Sequence, residues 1–272
     1  MPKIRAGTIS LNYEQQGSGE PLILIPHLAA DHACYAFQIA DYAKHFTCIS
    51  LDLRGTGDSD KPAASYTTET LSDDVAAFMQ AAGIDTAHVS GLSLGGATGM
   101  WLAAKHPKRV RSLSLHSAWP ATDEYVATVV ASWQAMARAL NDVTEMVIRA
   151  IFPWCLTPEL YAQKPDYVRS LADFLRTRPA QPLDAFIRQS DAVIGHDAEA
   201  QLHAITAPTQ ITFGRHDVIT STRFADRLSR AIGNSELHVF ENCSHAPIYE
   251  DAAAFNETTL RFLRAHAGEA TH

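Results

Sequence analysis

Apolar residues occur along the chain in short strand-like runs that alternate with longer helical patterns. From Thr8 to Tyr13, polar and apolar residues alternate, which is typical of an antiparallel edge strand with one side facing water. The other runs are continuously apolar, as expected for strands that are covered on both faces. These runs are Leu22–Ile25, Phe46–Leu51, His88–Gly91, Val110–Leu115, Gln210–Phe213 and Leu237–Phe240.

Helical periodicity fills most of the chain between these runs. Apolar residues spaced three or four positions apart predict a helix that begins near Thr68, a second that ends before Pro107, and two more near the C-terminus. Their apolar positions are Leu71, Val75, Phe78 and Met79, then Met100, Trp101 and Ala104, then Phe224, Leu228 and Ile232, and finally Phe255, Leu260, Phe262 and Leu263. This alternation predicts an α/β fold in which a mostly parallel sheet is covered by helices on both faces.

The alternation stops between about Trp119 and Ile205, where several helical patterns occur without a good strand. Prolines divide this segment into short helices, and large apolar side chains are frequent in it. We interpret it as a helical cap (119–205) inserted after the sixth core strand, between two parts of one core (1–118 and 206–272). Most of its aromatic side chains should pack inside the cap. A few should line a cleft, and Trp119 and Trp154 are the candidates for contact with a substrate.

A Gly-x-Ser-x-Gly pattern centred on Ser93 lies between a predicted strand and a predicted helix. Glycine is wanted at Gly91 and Gly95 because side chains there would collide as the backbone doubles back. Such a turn exposes a serine hydroxyl that can attack a substrate. The five-residue pattern alone occurs by chance, but the preceding strand, the following helix and the additional Gly96 all agree with it.

A serine hydroxyl needs a base, which is usually a histidine oriented by a carboxylate. Such groups collect beyond the carboxyl ends of the strands in a parallel sheet. Asp217 follows the strand 210–213 after a glycine turn, and His245 lies on the loop after the next strand. His216 is an alternative base, but next to Asp217 in an extended loop its side chain would point elsewhere.

Four motifs, in their order along the chain, resemble those of the α/β-hydrolase superfamily, and the resemblance covers nearly the whole chain. They are the loop 52–59, the turn at Ser93, the segment Gly214–Asp217, and the segment Ser244–Pro247 that precedes Glu250. The resemblance implies an α/β-hydrolase fold with an eight-stranded, mostly parallel sheet and a helical cap. It also implies that Ser93 is the nucleophile, Asp217 the orienting acid and His245 the base. Some members place the acid after the sixth strand, where Asp123 would serve.

Acyl transfer also needs N–H donors aimed at the developing oxyanion. The N–H of Leu94, at the start of the helix after Ser93, is one expected donor. The second should come from the loop after the third strand, where most relatives have a histidine followed by a glycine. This chain has Pro26 and His27 there, which would make the N–H of Leu28 the donor. His27 then either contacts the substrate or replaces the glycine structurally.

Composition and charge narrow the range of partners. The chain has 272 residues, enough for one large α/β domain with an insertion, and its net charge of -8 argues against nucleic acid or an anionic membrane as a partner. The N-terminus lacks an apolar signal segment, and no apolar run approaches the length of a transmembrane helix. The four cysteines are widely spaced, as in a cytoplasmic protein without a disulfide framework. A cytoplasmic location is therefore expected, and disorder is predicted for the C-terminal residues 268–272.

No motif calls for a metal or a cofactor. The loop 52–59 mixes acids and glycines, but it lacks the lysine of a phosphate-binding loop and the acid count of a calcium loop. Histidine and cysteine spacings do not indicate zinc. We therefore expect no cofactor and a small-molecule substrate, with the protein acting as a monomer or a homodimer.

The resemblance and the candidate triad together favour a serine hydrolase that cleaves a small carboxylic ester, a lactone or a related acyl compound. Within the superfamily, the chain looks most like enol-lactonases and small esterases. A carbon–carbon bond hydrolase of a diketone-type ring-cleavage product is an alternative, as is a receptor of this fold with low turnover. If the substrate is anionic, the candidates to meet its carboxylate are Arg54, Arg138, Arg149 and Arg188.

Overall fold

The computed structural model describes residues 2–268, so that 269–272 of the segment predicted to be disordered lie outside it. Eight strands form one sheet in the order β1-β2-β4-β3-β5-β6-β7-β8. β1 and β2 pair antiparallel with each other, β2 pairs antiparallel with β4, and all remaining pairs are parallel. The strands are β1 (Lys3–Ala6), β2 (Ile9–Gln16), β3 (Glu20–Ile25), β4 (Phe46–Leu51), β5 (Ala87–Leu92), β6 (Val110–His116), β7 (Thr209–Gly214) and β8 (Ser235–Phe240). The predicted α/β-hydrolase fold is therefore confirmed.

Helices cover both faces of the sheet. Successive side chains of β3 enter two different apolar clusters, Ile23 and Ile25 one of them and Leu22 and Leu24 the other. Because neighbouring residues of a strand point to opposite faces, the two clusters lie on opposite sides of the sheet. The helices that complete the core are α1 (Ala36–Tyr42) and α12 (Ala252–Ala265) on one face, and α2 (Thr68–Ala81), α3 (Leu94–Lys105) and α10 (Ala225–Ala231) on the other.

The segment between β6 and β7 is helical. Pro158 and Pro165 each occupy the first position of a helix, where a missing N–H removes no intrahelical bond. The helices are α4 (Glu124–Leu140), α5 (Val143–Met146), α6 (Phe152–Cys155), α7 (Pro158–Gln163), α8 (Pro165–Arg176) and α9 (Leu183–Ile194), with a π-helical stretch over Val147–Ile151. Finally, α11 (Pro247–Glu250) follows β8.

The two ends of this helical segment meet. Ala121 and Asp197 form an isolated antiparallel bridge, and the N–H of Ala198 donates to the carbonyl of Pro120 at 2.8 Å. The chain therefore leaves the sheet and returns to it at neighbouring points. This arrangement is the one expected of an insertion, although the exact boundaries of the cap, 119 and 205, remain predictions.

Three buried histidines make the stability of the fold depend on pH. Burial lowers the pKa of His116 to about 3 and the pKa values of His27 and His196 to about 4, against about 6.5 in an unfolded chain. Well above pH 6.5 all three rings are neutral in either state, so their burial carries no charging penalty. As the pH falls below 6.5 the unfolded chain binds protons that the folded protein does not.

We therefore expect the free energy of unfolding to fall by ~1.4 kcal/mol per pH unit for each ring, about 4 kcal/mol per unit together, between about pH 6 and pH 4. Urea titrations at several pH values measure this slope. His196→Gln should remove about a third of it. A flat profile would contradict the neutral state of the three rings.

Candidate active site

Ser93 lies on a sharp turn between β5 and α3. Its φ of 55° and ψ of -115° are unusual for a residue with a side chain, and such strain costs about 1–3 kcal/mol. A Cβ on Gly91 would come within 2.3 Å of the carbonyl carbon of Gly95. A Cβ on Gly95 would lie 2.1 Å from the carbonyl oxygen of Ile25. Both glycines are therefore required by backbone contacts, as the sequence pattern predicts.

Asp217 and His245 come together beyond the carboxyl ends of β7 and β8. The Nδ1 atom of His245 lies 2.9 Å from Oδ2 of Asp217, and both side chains are buried. Asp217 also accepts from the hydroxyl of Thr220 at 2.8 Å and from the N–H groups of Ile219 and Thr220 at 2.8 and 3.1 Å. Burial alone would raise the pKa of Asp217, but the charge of His245 and these donors together lower it. Asp217 is therefore an ionised acceptor that orients His245.

The hydrogen bond to Asp217 determines which nitrogen of His245 can act as a base. A carboxylate only accepts, so Nδ1 of His245 carries the proton and Nε2 keeps its lone pair. Ser93 and His245 line the same cavity. Among residues 2–268, no hydrogen bond joins the Ser93 hydroxyl to His245. Catalytic hydrogen bonds are often long without a substrate and tighten when one binds.

The alternative acid and base lie elsewhere. His216 is exposed on the surface, although it neighbours Asp217 in sequence. Asp123 caps the N-terminus of α4 by accepting from the N–H of Val126, and it pairs with the exposed Arg223. Neither side chain lines the cavity in the described part of the chain.

The two predicted oxyanion donors come from the turn at Ser93 and from the segment after β3. Leu94 is the first residue of α3, so its N–H has no partner within the helix. Leu28 lies in the turn after β3, and the close contact of Gly95 with Ile25 brings this strand end against the turn at Ser93. Both Leu28 and His27 line the cavity. Their assignment as donor and substrate contact remains a prediction.

The cavity above Ser93 has a volume of about 390 Å³ and a mostly apolar wall. Trp119 is part of this wall, and its contact with a substrate remains a prediction. Trp154, the other predicted substrate contact, is not among the described lining residues and packs against the core cluster. Much of the apolar lining comes from α4 and the helical segments after it, with Val126, Val130, Trp133, Val147, Ile151, Phe152, Leu171 and Phe174.

Arg178, which no sequence motif indicates, is the arginine among the described residues of the cavity wall. Its Nε donates to Oδ2 of Asp31 at 2.9 Å, so that its charge is already paired. The four predicted candidates are absent from the described lining, and Arg54 instead forms a buried bidentate pair with Asp74. No local sequence signal could have found Arg178, because only the packing of the cap against the core brings it to the cavity.

A buried group next to the cavity has the composition of a possible metal site. Asp31, His32 and Asp52 offer ligand atoms within 4.8 Å of one another. Each is already occupied, since His32 Nδ1 lies 2.7 Å from Asp52 Oδ1 and Arg178 pairs with Asp31. Asp52 also accepts from the N–H of Asp58 at 2.9 Å. These contacts fit a structural polar network that holds the loop 52–59.

Comparison with known proteins agrees with the fold. Residues 20–252 match the family model described as alpha/beta hydrolase fold, and the chain belongs to this family. The protein is therefore a hydrolase of the α/β-hydrolase family. Over residues 2–268, no helix is both long and apolar enough to cross a membrane.

Several relatives align over almost the whole chain. A 3-oxoadipate enol-lactonase of Acinetobacter baylyi is 28% identical over 96% of this chain and 96% of its own length. A putative carbamate hydrolase of Variovorax paradoxus, RutD, is 30% identical over 93% of this chain and 96% of its own length. Among solved structures, an enol-lactonase from Burkholderia xenovorans superposes with a TM-score of 0.86 at 25% identity, covering 97% of this chain and 100% of that one.

Proposed function

We propose that this protein is a serine hydrolase that cleaves a small, uncharged carboxylic ester or lactone through an acyl-enzyme. The observation that carries this proposal is the strained turn at Ser93, which shares a cavity with His245, the hydrogen-bond partner of Asp217. The enol-lactonases among the relatives support an acyl substrate.

Each residue of the triad has a role that its contacts support. His245 Nε2 takes the proton of the Ser93 hydroxyl as the serine oxygen attacks the acyl carbon, and it returns this proton to the leaving alkoxide. A water molecule then attacks the acyl-enzyme, with the same nitrogen as its base. Asp217 stabilises the imidazolium that forms during both acylation and deacylation. The N–H groups of Leu28 and Leu94 hold the oxyanion. No cofactor takes part in these steps.

The cavity favours an uncharged acyl group. Its wall is mostly apolar, and the arginine within it is neutralised by Asp31. Burying a carboxylate without a free partner is costly, so an anionic substrate is disfavoured. We infer a small-molecule partner, and the four free cysteines support a cytoplasmic location. We also propose that the protein acts as a monomer or a homodimer and binds neither nucleic acid nor a membrane.

Hydrolysis of matched p-nitrophenyl esters tests this function. An alkanoate ester of four to six carbons should be turned over with a kcat/KM about 100-fold above that of an ester of equal length ending in a carboxylate. A fluorophosphonate should abolish turnover and label the peptide that contains Ser93. In Asp31→Asn, the side chain no longer neutralises the charge of Arg178. The amide oxygen can still accept from the N–H of Ala33, which donates to Asp31 at 3.0 Å in the wild type. This variant should lower about tenfold the ratio of kcat/KM for the alkanoate ester to kcat/KM for the ester that ends in a carboxylate.

Three outcomes would count against the proposal. Labelling of a different residue, or none, would contradict Ser93 as the nucleophile. Preference for the anionic ester would contradict the uncharged substrate. Activity on a vinylogous diketone with none on esters or lactones would favour carbon–carbon bond hydrolysis.

A further inference from the structure

The turn after β3 has a conformation that its sequence does not favour. The N–H of Ala30 donates to the carbonyl of His27 at 3.3 Å and closes a β-turn over 27–30. Ala29, the third residue of this turn, has a φ of 60°, whereas Leu28 is not in the left-handed region. These dihedrals define a type II turn, which prefers glycine at its third position. An alanine favours the type I turn instead, in which the central peptide is flipped.

The side chain of His27 supplies a hydrogen bond that only the observed turn provides. Its Nδ1 lies 3.0 Å from the carbonyl oxygen of Leu28, which belongs to the central peptide of the turn. A carbonyl only accepts, so Nδ1 carries the proton and Nε2 has a free lone pair. The hydroxyl of Tyr249 lies 2.9 Å from Nε2 and donates to it. Burial lowers the pKa of His27 to about 4, which keeps the ring neutral at neutral pH.

Tyr249 connects this turn to two other parts of the site. It lies on α11, directly after the loop of the candidate base, and its N–H donates to the carbonyl of Ala246 at 3.0 Å. Its own carbonyl accepts from the hydroxyl of Tyr167 on α8 at 2.8 Å. The backbone of Tyr249 is therefore held from the His245 side and from the helical segment at once, which positions its phenol next to His27.

We propose that His27 and Tyr249 are a positioning pair that holds the turn 27–30 in its type II form and so aims the N–H of Leu28 at the oxyanion. Without the bond from His27, the central peptide can flip, which exchanges the directions of the Leu28 carbonyl and the Ala29 N–H. The N–H of Leu28 belongs to the preceding peptide, which then loses the fixed turn that supports it on one side. His27 thus supports, through its side chain, a turn that has alanine at the position where glycine is preferred. This role rests on the proposed hydrolase function.

Substitutions in the turn separate this role from a direct contact with substrate. His27→Ala should lower kcat on a p-nitrophenyl alkanoate by roughly 10- to 50-fold with KM within about twofold, less than the loss of a whole oxyanion donor. Adding Ala29→Gly should restore most of the lost kcat, because glycine adopts a positive φ without steric cost. Tyr249→Phe should lower kcat by about three- to tenfold. The surface variant His203→Ala is the control and should match the wild type.

A transition-state analogue provides a second readout. A trifluoromethyl ketone forms an oxyanionic hemiketal on a serine, so its inhibition constant should rise in each variant in proportion to the fall in kcat. Unchanged kcat in both His27→Ala and Tyr249→Phe would overturn the proposal, as would a loss that Ala29→Gly does not restore. If His27→Ala fails to fold, Tyr249→Phe decides alone. A wild-type protein without Ser93-dependent turnover would instead contradict the proposed function.

Discussion

Replacing Ser93 by alanine is expected to lower kcat for ester hydrolysis by about a millionfold. Ser93 supplies the oxygen that attacks the acyl carbon, and no other hydroxyl stands on the strained turn between β5 and α3. The N–H donors and the binding cavity survive in this variant, so residual activity reflects their contribution alone. Steady-state kinetics on a p-nitrophenyl ester, with fluorophosphonate labelling of the same samples, measures the effect. Turnover by Ser93→Ala above about one per cent of the wild-type value would show that Ser93 is not the nucleophile.

A matched variant distinguishes lost chemistry from lost structure. Ser93→Gly also removes the hydroxyl, but glycine tolerates a φ of 55° without a Cβ clash. We expect it to be as inactive as Ser93→Ala, with a free energy of unfolding about 1 kcal/mol higher than that of the alanine variant. Equal stabilities would mean that the turn stores no strain.

Asp217→Asn is expected to lower kcat by about 10⁴-fold while the fold stays intact. The amide oxygen can still accept from the N–H groups of Ile219 and Thr220, which now bind Oδ1 of the carboxylate. The amide nitrogen would face Nδ1 of His245 and donate to it. Nε2 would then carry the proton, and His245 could not accept one from Ser93.

Asp123→Asn is the matched control for this change. Asp123 offers the same functional group, but it caps α4 and pairs with Arg223. Its replacement should leave kcat within about twofold of wild type. If Asp123→Asn caused the large loss and Asp217→Asn did not, the acid would be the one after the sixth strand.

The central strands and the turn at Ser93 could be predicted from sequence because local physics determines them. Strands β3 and β5 lie inside the sheet, so they are apolar on both faces and easy to recognise. Gly91 and Gly95 are required by backbone contacts within or beside the same turn. The first strand, Lys3–Ala6, was missed because it is a short edge strand with exposed Lys3 and Arg5 and too few apolar residues to show a pattern.

Contacts between distant segments could not be predicted. Arg178 reaches the cavity, and Trp154 does not, because of how short helices pack against the core. The sequence showed that His27 stands in place of a glycine, but its partner Tyr249 lies 222 positions away. Such a pair has no periodicity and no local motif. The pair forms only because the parallel sheet places the carboxyl ends of β3 and β8 on the same side of the molecule.

The bridge between Ala121 and Asp197 has a consequence for how this protein can change. Since the chain departs from the sheet and rejoins it at one place, the helices between these residues can be lengthened, shortened or exchanged without displacing β6 or β7. Grafting the corresponding segment of another family member at this junction would therefore transplant selectivity while leaving the reaction itself in place. The junction therefore allows the helical segment to vary independently of the sheet.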